Sequence, residues 1–149
     1  MPALHYHPVI GGFEIFIKNI CERLNVEYEI WVVTGKVNGQ PKKETDEKLT
    51  ILRNSSLFKL KDYSHSSYFY ILTMLPVILY RSWRLIKKNK IDLLHAQGFF
   101  SGVLCLILKK ITKVPYIITI QSADFSIYHS ELKFNFITKL QMSLERKVY

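Results

Sequence analysis

Two adjacent glycines, Gly11 and Gly12, stand directly before an amphipathic run, and this pairing constrains the architecture more than any other feature of the sequence. The segment reads Pro8-Val9-Ile10-Gly11-Gly12-Phe13-Glu14. Glycine lets the backbone turn sharply and lets a ligand come close to the main chain. In residues 13–24, Phe13, Phe16, Ile17, Ile20, Cys21 and Leu24 recur at three- and four-residue spacing, which predicts a helix. A helix that starts behind such a turn points unpaired N–H groups at whatever lies above it and favours an anion. Taken alone, a Gly-Gly pair is a weak signal and reads first as a plain turn. Its position adds meaning, because the helix leads into the strand-like run Tyr28-Glu29-Ile30-Trp31-Val32-Val33-Thr34. That order is a βαβ unit with its loop where doubly wound folds hold their ligands.

The rest of the chain repeats the alternation. Residues 36–48 are polar, contain Gly39 and Pro41, and read as a surface loop; residues 49–53 read as a short strand. A second polar loop over 54–65 precedes a long helix over 66–89, bent or entered at Pro76. A strand over 92–96, a helix over 98–111, a strand over 115–120, a polar loop over 121–130 and a helix over 131–149 follow. Continuous apolar strands separated by helices predict an α/β fold, a Rossmann-like parallel sheet with helices on both faces. The expectation is a single domain over 1–149, with a first strand that looks clipped and a last helix that looks cut.

Composition narrows the partners. Lys plus Arg number 21 against 12 acidic residues, a formal net charge of +9, which favours phosphorylated ligands, lipid headgroups or nucleic acid. No recognition-helix or RNP-type pattern supports nucleic acid. Cys21 and Cys105 sit far apart in apolar helical patterns and read as buried free thiols in a reducing compartment. No leader pattern follows Met1, and the apolar stretch over 68–80 is too short to span a bilayer. The expected location is cytoplasmic, either soluble or peripheral at the cytoplasmic face of a membrane.

Ligands of an open α/β sheet bind beyond the carboxyl ends of its strands. Those ends carry His5 and His7, then Thr34-Gly35, then His95 with Gln97 and Gly98, then Gln121 with Asp124. His95 reads either as a satisfied core histidine or as a functional ring. Gly98 reads as a turn opening the next helix or as an opening for a ligand. Asp124 reads as a cap or as a carboxylate for sugar hydroxyls. Glu14 either complements the first helical turn or binds an acceptor hydroxyl. The histidines lack metal-ligand spacing, so no metal is expected. GxSxG, Walker A and GxGxxG patterns are absent from the sequence.

In the long helix, Phe69, Tyr70, Ile71, Leu72, Met74, Leu75, Ile78, Leu79 and Trp83 lie beside Arg81, Arg84, Lys87 and Lys88. This is an ordinary core helix with a solvated basic end, or a face that lies on an anionic membrane.

Pro8-Val9-Ile10-Gly11-Gly12-Phe13-Glu14, the strand Glu29-Ile30-Trp31-Val32-Val33-Thr34, Asp92-Leu93-Leu94-His95-Ala96-Gln97-Gly98 and Pro115-Tyr116-Ile117-Ile118-Thr119-Ile120-Gln121-Ser122-Ala123-Asp124 together resemble successive landmarks of family 4 glycosyltransferases. The resemblance implies the N-terminal, acceptor-side half of a two-domain GT-B fold. The partner would be a C-terminal nucleotide-sugar domain, or a split subunit, bearing the EX7E motif; no such motif stands at a donor site in this sequence. It further implies retaining transfer of a hexose from a nucleotide diphosphate sugar to a hydroxyl acceptor, glycan or lipid-linked, with no cofactor. On this resemblance Gly11 and Gly12 face the donor diphosphate, Glu14 shapes the adjoining site, and Gln97 and Gly98 adjoin the substrate. His95, Gln121 and Asp124 are the candidate catalytic residues. Gln121 and Gln97 both stand where many members carry histidine, and Gln121 is therefore read as an orienting amide and not a proton carrier. An isolated half is expected to be inactive. The alternatives are a non-catalytic α/β module docking on a membrane or partner protein, and a GT-B sugar-nucleotide epimerase with Glu14 and Asp124 as its acid and base.

Overall fold

The structure is a computed structural model and describes residues 1–55 and 68–119. Chain order is α1 (Gly12–Leu24), β1 (Ile30–Gly35), β2 (Lys43–Asp46), β3 (Leu49–Asn54), α2 (Tyr68–Lys88), β4 (Leu94–Gln97), α3 (Gly98–Thr112) and β5 (Tyr116–Thr119). The helix expected over 131–149 lies outside the described residues.

β1 and β3 pair in parallel from Ile30 against Leu49 to Gly35 against Asn54. Residues 1–4 run along the other edge of β1. There the Met1 ammonium donates to Trp31 O at 2.6 Å, Val33 N–H to Met1 O at 3.0 Å, and Ala3 N–H to Val33 O at 2.9 Å. β4 and β5 form a second parallel pair, from Leu94 against Tyr116 to Gln97 against Thr119. Among the described residues no backbone ladder joins the two sheets.

One element departs from the sequence expectation. Residues 36–48 were expected to be loop throughout, but β2 pairs antiparallel to β3 across the turn at Glu47 and Lys48. Lys43, Glu44, Thr45 and Asp46 are all exposed and intrinsically poor strand formers, apart from the threonine. The open edge of β3 gives them the ladder partners that propensity does not. Helix α2 also runs through Pro76, an exposed position, without interruption.

The core sits on both faces of the β1–β3 sheet, because successive strand side chains point to opposite sides. On one face Ile17 and Cys21 of α1 meet Val32 and Ile51, with Ala3 and Tyr6 closing the cluster. On the other face Val33 meets Tyr70, Met74 and Ile78 of α2 and Leu104 of α3. Cys105 and Leu108 then pack on Leu94 and Ala96 of β4. Helices therefore cover both faces, as the sequence pattern predicts. The amino ends of residues 1–4, β1 and β4 line one cavity of about 470 Å³. Their carboxyl ends lie at the opposite rim.

Candidate active site

At that rim, β4 passes into α3 with no intervening loop. Gly98 makes this possible with φ of 70°, a backbone conformation that a side chain disfavours. The carboxyl end of β4 is thereby held directly under the first turn of a helix.

His95 and Gln97 are two residues apart in β4 and so share one face. Gln97 Nε2 lies 3.0 Å from His95 Nε2, and Thr119 Oγ1 of β5 lies 2.8 Å from the same nitrogen. With the amide oriented this way, His95 Nε2 accepts from Gln97, and the ring proton sits on Nδ1. Burial, aided by the positive Met1 amino group, lowers the pKa of His95 from its ordinary 6.5. The ring is thus held neutral, as an orienting group more than a cation. Gln97 Oε1 is buried with no hydrogen-bond partner among the described residues. One polar valence in the cluster remains open to a further donor.

The glycine loop is the second part of the site. Gly11 is the N-cap of α1, with extended backbone and no side-chain cap. Glu14 folds back so that its carboxylate lies over Gly11, where a Cβ would collide with it. Gly12 faces open space, with no atom within 4 Å of where its Cβ would be. The loop is tied down from behind. Arg53 Nη2 donates to His7 O at 3.1 Å, and Arg53 Nη1 donates to Glu44 Oε2 at 2.7 Å. His5 stacks on Tyr70 with ring centroids 5.3 Å apart, while His7 is exposed.

The expected residues therefore fall into separate groups. His95, Gln97 and Gly98 stand together at the end of β4. Gly11, Gly12 and Glu14 stand together at the start of α1. Arg81, Arg84, Lys87 and Lys88 are all exposed on α2, with the Arg84 guanidinium 5.9 Å from the centroid of the Tyr80 ring. Gln121 and Asp124 lie outside the described residues. Sequence reading missed Arg53 and Thr119. An arginine closing an otherwise apolar strand was the available signal for the first, since arginine is rarely buried without a partner. Thr119 gave no signal, because threonine is common in strands. No three His, Cys, Asp or Glu side chains among the described residues are grouped to hold a metal ion. No helix among them is long and apolar enough to cross a membrane.

The family model described as Glycosyltransferase Family 4 matches residues 10–149. The chain belongs to Glycosyltransferase Family 4. Among solved structures, this family 4 chain is similar to sucrose-phosphate synthase from Thermosynechococcus elongatus, with a TM-score of 0.71 at 13% sequence identity. That likeness covers 99% of this chain and 38% of the synthase chain, and it shows a shared GT-B fold. The family 4 chain thus spans well under half the length of that structural relative. No curated protein matches the sequence.

Proposed function

We propose that this chain is the acceptor-side domain of a retaining glycosyltransferase, which moves a hexose from a nucleotide diphosphate sugar to a hydroxyl acceptor, glycan or lipid-linked. The family match across residues 10–149 carries the reading. The open space above Gly12 supports it, because a diphosphate can approach the backbone there. In this reading the N-terminus of α1 and its loop stabilise charge on the departing diphosphate, and catalysis rests on positioning. The Glu14 carboxylate accepts only, which suits an acceptor hydroxyl. It also lies over Gly11 and must swing aside for an anion. The neutral His95, held by Gln97 and Thr119, orients a sugar hydroxyl; Gln121 and Asp124 complete the sugar site. A second domain or subunit supplies the rest of the nucleotide site, so this chain alone transfers little or no sugar. Neither metal nor cofactor takes part.

Titration of the isolated chain with uridine and guanosine diphosphates, followed through the Gly11 and Gly12 amide resonances, tests this. Weak saturable shifts at these two amides are expected, with Kd on the order of 1 mM, about −4 kcal/mol. Micromolar binding that leaves both amides unmoved would contradict it.

A second reading is favoured by α2, which carries no acidic residue. Leu72, Tyr80 and Trp83 are exposed there beside Arg81, Arg84, Lys87 and Lys88. This combination suits a peripheral contact with the anionic cytoplasmic leaflet, each cation near the surface contributing about 1 kcal/mol. Sedimentation with vesicles containing phosphatidylserine is expected to carry the wild-type chain and to leave the Arg84→Glu, Lys87→Glu variant in solution. No sedimentation of the wild type removes this reading.

A further inference from the structure

We propose that the first turn of α3 is a platform for one sugar ring of the acceptor: Phe99 and Phe100 take its C–H face, and Gln97 Oε1 takes one of its hydroxyl protons. This rests on the reading of the chain as an acceptor-side domain and adds the class of acceptor, a glycoside.

Two aromatic rings stand at the rim without a place in the core. The buried face of α3 is Gly98, Ser101, Gly102, Leu104, Cys105 and Leu108. Helical spacing puts Phe99 nearly opposite that face and Phe100 at its flank. Both are half-buried, and neither joins a core cluster of the described residues. They pack instead on each other, edge to face, with centroids 5.4 Å apart and planes inclined at 63°. Helical side chains lean toward the helix N-terminus, so both rings lean toward the carboxyl end of β4. The negative face of an aromatic ring attracts the weakly positive C–H face of a sugar.

The polar groups beside the rings suit a hydroxyl. Gln97, the N-cap of α3, is 7% exposed, and its Oε1 is buried with no hydrogen-bond partner among the described residues. Its Nε2 already bonds to His95. No side chain caps the helix, so N–H groups of the first turn remain as donors. An unpaired acceptor is thus followed along the chain by unpaired donors. A hydroxyl gives and accepts at once, and so matches both. A phosphate oxygen only accepts and leaves Oε1 unpaired, while an alkyl chain matches neither.

The turn is also uncharged. It contains no acidic residue, and the adjoining His95 is held neutral by burial. Aromatic surface with a few fixed polar atoms is the usual lining of a site for a neutral ligand. The rim therefore divides by chemistry, with the anion at the glycine loop and the uncharged ring at α3.

The test uses this chain with the methyl β-glycosides of glucose, galactose, mannose and N-acetylglucosamine, and with octanol as a lipid-alcohol control. Binding is read from saturation transfer to the sugar protons and from shifts of the Phe99 and Phe100 ring resonances. At least one glycoside is expected to bind with Kd on the order of 10 mM, with transfer concentrated on one ring face. The Phe99→Leu, Phe100→Leu variant keeps apolar bulk and should keep Tm, yet weaken binding about tenfold. Phe99→Trp, with a larger ring, should bind at least as tightly as the wild type. No transfer to any glycoside overturns the proposal. So do unchanged binding in the leucine variant, a collapse of its Tm, which would make the rings structural, or octanol shifting both rings as strongly as the sugars do. Nucleoside diphosphates that shift Gly11 and Gly12 while every glycoside fails would sink the platform and leave the glycosyltransferase reading standing. Glycoside binding without any nucleotide response would sink the diphosphate site and leave the platform.

Discussion

Gln97 and His95 hydrogen-bond side chain to side chain at 3.0 Å from the same face of β4, with Thr119 of the neighbouring strand on the same imidazole nitrogen. This fixes the ring between two neutral partners, and no carboxylate among the described residues is hydrogen-bonded to it. The histidine therefore has reason to stay neutral.

The consequence is a definite pH dependence. The folded pKa of His95 lies below 6.5. Between that value and 6.5 the unfolded chain binds more protons than the folded one. Stability contributed by the neutral ring is complete above 6.5 and declines as pH falls through the window. A titration of the His95 ring resonances is expected to give a midpoint below 6.5, with Tm falling as pH drops from 7 toward 5. A midpoint at or above 6.5 would show that burial does not dominate.

Arg53 and Glu44 predict an asymmetry. The Arg53 side chain is 1% exposed and that of Glu44 is 44% exposed. Water can replace the Glu44 carboxylate in part, so Glu44→Gln should cost about 1 kcal/mol in urea denaturation. Arg53→Ala also removes the donor to His7 O and the buried stem, and should cost about 3 kcal/mol. Equal costs would mean that the arginine's contact with the glycine loop contributes nothing.

Gly35 predicts a coupling. A Cβ on Gly35 would collide with the Tyr70 hydroxyl and lie 3.1 Å from Leu4 O. Gly35→Ala is expected to destabilise by about 2 kcal/mol. In the double variant with Tyr70→Phe the clash with the hydroxyl disappears, so the two costs should sum to more than the measured total by at least about 0.5 kcal/mol. Strict additivity would place the strain at Leu4 O.

The thiols should be silent. Cys21 and Cys105 are free and buried. Burial pushes their pKa values to about 11 and about 12. Labelling by an aromatic disulfide at pH 8 should therefore proceed at the rate of unfolding and accelerate with urea. Fast stoichiometric labelling of the native chain would contradict the packing of both helices.

Much of this lobe was legible from pattern alone. α1, β1, β3, α2, β4, α3 and β5 all appear within a few residues of their expected bounds, because each carries a strong 3.6-residue period or a dense apolar run. β2 was not legible. Its residues are charged, and the turn at Glu47 and Lys48 lacks the Asn-Gly or Asp-Gly signal of a tight hairpin. Only the exposed edge of β3, a tertiary fact, calls it into being. The same holds for the site. Gly11, Gly12, His95, Gln97 and Gly98 could be read from their places beside strand ends. Arg53 reaches the glycine loop across 46 residues of sequence, and no local pattern encodes that distance.

That short outer strand also has a protective effect. Lys43, Glu44 and Asp46 line the far margin of the β1–β3–β2 sheet with charges of both signs, all of them exposed. A margin of this kind repels a second molecule's backbone and discourages runaway stacking between neighbouring copies. The opposite margin needs no such guard, because residues 1–4 already pair with β1 there.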